Sequence, residues 1–336
     1  SCLEDRNIIT MYPHGGNLDY AIAEYGGEFS EWLDLSTGIN LDPYPHVNVS
    51  DNSFHCLPYE SKLNDLKQAA AIYYDIPSDM DILPTAGVQQ GIQSLRYLGK
   101  PGIAKILSPT YSEYEIVLKN LGWKVVKVQN LGELSNADLV VLVNPNNPDG
   151  RVVEKKEILE LASYANEIII DESFADLRPE ISMVRSINDK DITVFKSVGK
   201  FFGLPGMRLG FVIAKYSKIR ALKKFTGPWN ISGPALEVGL RALSDQDWVN
   251  KTRLRLEEGS KRLTKLLSSS GKLKVIGSTG LFTLVETRDA KNAQVHFADR
   301  KIWTRVFDYS DKWIRLGIPG DEKSWSKLEY ALAQFT

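Results

Sequence analysis

Apolar residues in the middle of the chain come in short, nearly uninterrupted runs. IAKIL (103–107), KVVKV (124–128), ADLVVLV (137–143), EIII (167–170), ITVF (192–195) and GFVIA (210–214) are apolar on both faces, the pattern of strands covered by helices on either side. Between them the period lengthens to that of a helix, as in VVEKKEILELASYA (152–165). This alternation predicts a doubly wound α/β domain with a mainly parallel sheet. From about Gly233 the pattern changes. A long charged amphipathic helix through RLRLEEGSKRLTKLL precedes strand-like KLKVIG, GLFTLVET and KWIRLGI, which predicts a smaller α+β domain. The expected organisation is an N-terminal arm over 1–49 that completes the small domain, a large α/β domain over 50–234, and the small C-terminal domain over 235–336. No internal repeat or low-complexity segment interrupts it.

Composition narrows the class. With 336 residues, 43% hydrophobic and 25% charged, the chain can bury a large core. A formal charge of −1 gives no electrostatic reason to expect nucleic acid or an anionic membrane as partner. Cys2 and Cys56 do not make a disulfide framework, and His14, His46, His55 and His296 have no metal-ligand spacing, so no metal is expected. No apolar run approaches the roughly 18 residues needed to span a bilayer. The first residues, with Glu4, Asp5 and Arg6, lack a signal-peptide core, and the expected location is the cytoplasm.

In a sheet of this kind ligands bind beyond the carboxyl ends of the strands. NPNNPDG (144–150) follows ADLVVLV, DESFADL begins at Asp171 after EIII, and Lys196, Ser197 and Lys200 follow ITVF. LPTAGVQQGIQSL (83–95) places Thr85, Ala86 and Gly87 before a helix. The stretch SVGKFFGLPGMRLGF (197–211) also sets Lys200 and Arg208 among aromatic and aliphatic residues. A buried cation is costly unless paired or liganded; snorkelling and pairing with a carboxylate are the alternatives.

One cofactor suits all four elements. Backbone N–H groups of Ala86, Gly87 and Val88 at a helix start would take a phosphate, with Ser197 and the bidentate Arg208 on the same group. Asp171 would pair with a protonated pyridine nitrogen and keep the ring an electron sink. Asn147 would hydrogen-bond the ring's phenolic oxygen, Tyr111 would stack on the ring, and Lys200 would form a Schiff base with the aldehyde. That cofactor is pyridoxal 5'-phosphate.

The series NPNNPDG, then D-E-x-F, then S-x-x-K with G-x-P-G-M-R-L-G-F resembles the active-site series of fold type I pyridoxal-phosphate enzymes, in their histidinol-phosphate aminotransferase-like branch. The steps are 24 residues from Asn147 to Asp171 and 29 from Asp171 to Lys200. Within the branch the chain is most similar to the threonine-phosphate decarboxylases of cobalamin biosynthesis. HGGN (14–17), DLSTGINLDPYP (34–45), LVNPNNPDGRVV (142–153), DESFADL (171–177), GPWNISGPAL (227–236) and RLGIPGDEKSW (315–325) carry that similarity. The resemblance implies a phosphorylated amino acid as small-molecule substrate: decarboxylation of L-threonine O-3-phosphate to (R)-1-amino-2-propanol O-2-phosphate. It also implies a homodimer. The alternative within the branch is an aminotransferase acting on histidinol phosphate or a similar amino acid. A non-catalytic cofactor-binding module is disfavoured, because such a module would not require Lys200.

The same resemblance assigns Arg315 to the substrate carboxylate and Arg305 to the substrate phosphate, with solvated surface arginines as the competing reading. His14, Asn40 and Trp229 are further candidates for the substrate pocket, against turn and packing roles. Two positions depart from the aminotransferase pattern: Phe174 replaces a ring-side tyrosine, and Leu57 stands where a tyrosine usually reaches the neighbouring subunit, with Tyr59 as a substitute.

Overall fold

The computed structural model describes residues 14–45, 48–97, 99–187 and 191–335. Cys2, His46 and the start of the expected N-terminal arm lie outside them. The first helix begins where the Asn17 side chain accepts the Tyr20 N–H at 3.3 Å, so α1 (Leu18–Tyr25) has a side-chain cap that satisfies an otherwise orphaned donor. α1 buries Leu18 and Ala21 against Trp32, Ala298 and Trp303. β1 (Leu33–Asp34) follows.

The central part of the chain then runs through α2 (Asn52–His55), α3 (Glu60–Tyr73), β2 (Met80–Thr85), α4 (Val88–Gln93), β3 (Ile103–Leu107), α5 (Glu113–Asn120), β4 (Lys124–Val128), β5 (Ala137–Val143), α6 (Lys155–Leu161), β6 (Ala165–Asp171), β7 (Ile192–Ser197) and β8 (Gly210–Lys215). Its seven strands order as β2-β8-β7-β6-β5-β3-β4. Pairs among β3, β4, β5, β6 and β7 are parallel, while β8 is antiparallel to both β2 and β7. The six predicted apolar runs all fall in these strands. β2 is an additional strand, and the reversal at β8 is not visible in an apolar run, because burial on both faces looks the same in either direction.

The helix expected over 152–165 is shorter at both ends. Val153 is held extended by Asn144, whose side chain accepts its N–H at 2.9 Å and donates to its carbonyl at 3.0 Å. The core of this part gathers Ile92, Ile106, Leu118, Leu139, Val141, Ile169, Phe195 and Val212, all at or near zero exposure.

The chain continues through α7 (Tyr216–Thr226), α8 (Gly233–Ser244), α9 (Gln246–Ser269), β9 (Lys274–Ser278), β10 (Phe282–Glu286), α10 (Ala290–Ala298), β11 (Ile302–Trp303), β12 (Arg305–Phe307), β13 (Ser310–Gly317) and α11 (Glu322–Ala333). β12-β13-β10-β9 form an antiparallel sheet, and β1 pairs in parallel with β11. Two compact units result: Ser1–Asp42 with Arg255–Thr336, and Pro43–Leu254. The divisions therefore fall after residues 42 and 254, not after 49 and 234. α8 accounts for the second difference, because its apolar face packs on α3 and α2 of the large unit.

Candidate active site

Both β2 and β7 are antiparallel to β8, so they point the same way as β5 and β6. The ends of β2, β5, β6 and β7 and the start of β8 therefore share one edge of the sheet. A cleft of about 150 Å³ opens there, lined by Gly87, Val88, Tyr111, Asn147, Asp171, Phe174, Ser197, Lys200 and Arg208 among others. Eight of the nine expected cofactor residues are thus together.

The ninth, Ala86, is not at the cleft. Its N–H donates to the Gln90 side chain at 2.7 Å and the Gly87 N–H to the Thr85 carbonyl at 2.8 Å, which leaves the Val88 amide at the mouth of α4. Gly87 has φ +76 and ψ 166, a region nearly exclusive to glycine, and a Cβ there would run into the Arg208 guanidinium. Gly210 serves the same approach from below: a Cβ on it would meet Val88 N at 2.9 Å and Gly87 C at 3.0 Å. Two glycines thus let the start of α4 and the Arg208 side chain close on one point.

Asp171, at the end of β6, is 3% exposed. Its Oδ2 accepts from the Tyr114 hydroxyl at 2.8 Å and its Oδ1 from Ser173 N–H at 2.9 Å. Burial pushes its carboxyl up, and the Ser173 and Tyr114 bonds and the Lys200 charge pull it down. Lys200 Nζ lies 5.6 Å from the centre of the Phe174 ring, where the departure from tyrosine removes a hydroxyl. Tyr111 lies edge-on to Tyr114, with centroids 6.4 Å apart, and burial raises its hydroxyl pKa.

The two cations expected to be buried are not: Lys200 is half-buried and Arg208 is exposed. The buried cation of this region is Lys196, 4% exposed. It pairs with the fully buried Glu172, whose carboxylate also accepts from Ser182 Oγ at 2.6 Å and Met183 N–H at 2.7 Å. Because Glu172 adjoins Asp171 and Lys196 adjoins Ser197, this pair ties the two strand ends that carry the site. Tyr114 and this pair were not singled out from the sequence. Tyr114 lies three residues after Tyr111 in SPTYSEY, just inside α5, which is the available signal.

The smaller unit carries a second polar cluster. Arg305 and Arg315 are directly opposite in the β12–β13 register, so both side chains leave the same face. Arg315 is 5% exposed, its guanidinium 4.6 Å from the Phe282 ring centre and 6.0 Å from that of Phe307, and Arg305 lies 5.0 Å from Phe307. Burial, reinforced by the like charge of Arg305, pulls Arg315 down to about 9. Two desolvated cations side by side suit an anionic ligand.

The other substrate candidates divide. His14 is half-buried at the turn before α1. Asn40 is buried, and its Oδ1 accepts from Arg255 Nη2 at 2.9 Å and Asp42 N–H at 3.1 Å, which is the turn role. Trp229 has φ +55 and is 61% exposed. It lines a separate groove of about 790 Å³ with Leu57, Tyr59 and Tyr216, not the cofactor cleft.

The chain matches the model of the aminotransferase class I and II family over residues 31–333. It belongs to that family. Among its relatives are the threonine-phosphate decarboxylase of Sinorhizobium sp, 38% identical over 96% of this chain and 97% of that one, and that of Pseudomonas aeruginosa, 36% identical over 97% and 98%. Among solved structures, the histidinol-phosphate aminotransferase of Clostridium acetobutylicum superposes with a TM-score of 0.81 at 26% identity, covering 90% of this chain and 98% of that one. The fold of this class I and II family member is that of the fold type I enzymes. Its cleft fits pyridoxal 5'-phosphate: anion donors surround a glycine that leaves no room for a side chain, a buried carboxylate stands at the base, and an amine stands at the mouth. No group of three or more metal-ligating side chains occurs among the described residues.

Proposed function

We propose that this chain is a pyridoxal-phosphate-dependent decarboxylase that converts L-threonine O-3-phosphate to (R)-1-amino-2-propanol O-2-phosphate, the amine used in cobalamin biosynthesis. The observation that carries this reading is the identity of 36–38% to two threonine-phosphate decarboxylases over nearly the whole chain, against 26% to the aminotransferase of the same fold. The paired arginines support it, because an amino acid bearing a phosphate presents two anionic groups.

When bound, the cofactor supplies an electron sink for whichever bond at the amino-bearing carbon stands perpendicular to its ring. Val88 N–H, Ser197 and Arg208 would bind its phosphate, with Gly87 giving it room, and Asp171 would hold a proton at its ring nitrogen. Arg315 and Arg305 hold the carboxylate and phosphate of the substrate, which fixes the bond to be broken. Lys200 Nζ delivers a proton to the carbon that carbon dioxide has left. The working form is proposed to be a cytoplasmic homodimer, with the exposed side chains of Leu57, Tyr59 and Trp229 as candidates for the contact with the partner subunit. Among the described residues no helix is long and apolar enough to cross a membrane.

The test is substrate discrimination by the cofactor-loaded protein without keto acid. L-threonine O-3-phosphate is expected to turn over, and L-threonine to fall by about tenfold to a hundredfold in kcat/KM, the worth of one lost charged contact. Turnover that requires α-ketoglutarate and prefers histidinol phosphate would replace this reading by aminotransfer.

A further inference from the structure

We propose that Asn146 is a positioning residue for the cofactor: it bridges the two loops that part between β3 and β5 and so sets where Asn147 and Tyr111 stand against the ring. The inference rests on the reading of the cleft as a pyridoxal-phosphate site in which Asn147 meets the phenolic oxygen and Tyr111 the ring.

The chain runs from β3 outward to β4, then returns to the other side of β3 to lay down β5, β6 and β7. The connections that leave the ends of β3 and β5 therefore lead off in opposite directions, and a crevice opens at such a point. The hydrogen bonds show the parting. The β3–β5 register ends at Ile106 and Val141. Beyond it the Ser108 N–H turns to Val128 O, past the end of which lies β4's own loop, and the Asn144 N–H turns to Asp171 O on β6, each at 2.8 Å. The two loops that follow carry Tyr111 and Asn147 into the cleft.

Asn146 spans this gap. It is 2% exposed. Its Oδ1 accepts from Thr110 Oγ1 at 2.6 Å, and its Nδ2 donates to Pro109 O at 2.9 Å and to Asp149 Oδ1 at 2.8 Å. The direction of the amide is forced, because a carbonyl and a carboxylate only accept, so the NH2 group faces both and the oxygen takes the Thr110 proton. On its own loop the Asn146 N–H donates to Arg151 O and its carbonyl accepts the Gly150 N–H, each at 2.8 Å, while Asp149 Oδ1 also takes the Arg151 N–H at 3.0 Å. One short side chain thus fixes the separation of two loops whose next residues, Tyr111 after Thr110 and Asn147 after Asn146, line the cleft. Each such bond replaces one to water and adds little net stability, whereas a misplacement of about 1 Å at a reacting site is costly.

The test uses the cofactor-loaded protein and two readouts that belong to the folded site: the dissociation constant for pyridoxal 5'-phosphate by absorbance titration, and the pH midpoint of the bound cofactor's absorbance change. Losing buried bonds lowers the thermal midpoint whatever their role, so stability decides nothing. Asn146→Ala is expected to raise the dissociation constant about tenfold, the worth of one hydrogen bond. Thr110→Val, which keeps the shape and removes one bond between the loops, should raise it less. The pH midpoint should rise in both, because a donor at the phenolic oxygen favours the deprotonated chromophore and a displaced Asn147 no longer supplies it. In an Asn147→Ala background, Asn146→Ala should move the midpoint no further. Wild-type dissociation constant and pH midpoint in Asn146→Ala, with only the thermal midpoint lowered, would mark a structural role and overturn the proposal; if Asn146→Ala does not fold, the same result in Thr110→Val does so. An additive shift in the double variant overturns it as well, since the effect would then bypass Asn147. A wild-type pH midpoint in Asn147→Ala would overturn the cofactor-site reading and the proposal with it, whereas a shifted midpoint there beside wild-type behaviour at position 146 overturns the proposal alone. Neither readout uses an amino acid substrate, so the result is independent of which reaction the site performs.

Discussion

Tyr114→Phe removes one oxygen atom from the interior and leaves the ring in place. The ring is fully buried, stacked on Phe195 with centroids 6.2 Å apart and planes 14° from parallel, and phenylalanine keeps that packing. What is lost is the 2.8 Å bond to Asp171 Oδ2, which opposes the upward push of burial on the Asp171 carboxyl. A hydrogen bond to a charged group is worth about 1.5–3 kcal/mol, so its loss should raise the Asp171 carboxyl further. A proton shared between Asp171 and the ring nitrogen then shifts toward Asp171, and the electron sink weakens. The expected result is a fall in kcat of about tenfold, at most about a hundredfold if the whole shift reaches the barrier. KM and cofactor occupancy, read from absorbance, should be little changed. A Tyr114→Phe enzyme with wild-type kcat and pH profile would refute the role of Tyr114 and the importance of the Asp171 charge with it.

Gly87→Ala forces a side chain into a glycine-only conformation, at a cost of order 1–3 kcal/mol, and displaces Arg208; cofactor affinity, by absorbance titration, should fall at least about tenfold. Lys196→Met leaves Glu172 buried without its cation and should cost about 3–5 kcal/mol in urea unfolding, much of it recovered in a Lys196→Met/Glu172→Gln double variant; a neutral single variant would contradict the pairing. Burial raises Asp176 to about 6, against the pull of Lys196, Tyr73 and Arg253. The folded chain therefore binds this proton more tightly than the unfolded chain, and the group's contribution to stability is complete below about pH 4 and lost as pH rises through about 6. Asp176→Asn, which keeps an acceptor for the Tyr73 hydroxyl, should remove that fall of up to about 3 kcal/mol; identical pH–stability curves for variant and wild type would count against it.

The large unit was legible because its central strands are buried on both faces and its chemistry follows strand ends. EIII and ITVF announce themselves by their apolar runs, and Asp171, Ser197 and Lys200 follow from them. What sequence could not supply was the destination of individual bonds. Ala86, Gly87 and Val88 look equivalent until Gln90 takes the first N–H and the Thr85 carbonyl the second. Arg208 looks buried because its neighbours are apolar, yet its left-handed backbone, φ +53, turns it out to meet Gly87. Tyr114 and Arg315 bond partners distant in sequence, 57 and 279 residues away, and no local pattern marks such pairs. The boundary near residue 254 was missed because α8 and α9 are consecutive amphipathic helices, and only packing tells which core each one joins.

The most direct test of the central claim is the fate of a labelled carboxyl carbon. The cofactor-loaded protein is given L-threonine O-3-phosphate labelled with carbon-13 in its carboxyl group, in deuterated water without keto acid, and followed by NMR. The account predicts that the label leaves as carbon dioxide and bicarbonate while the amine product gains a deuterium at the carbon it left. Label retained in a keto acid that forms only when α-ketoglutarate is added would contradict it.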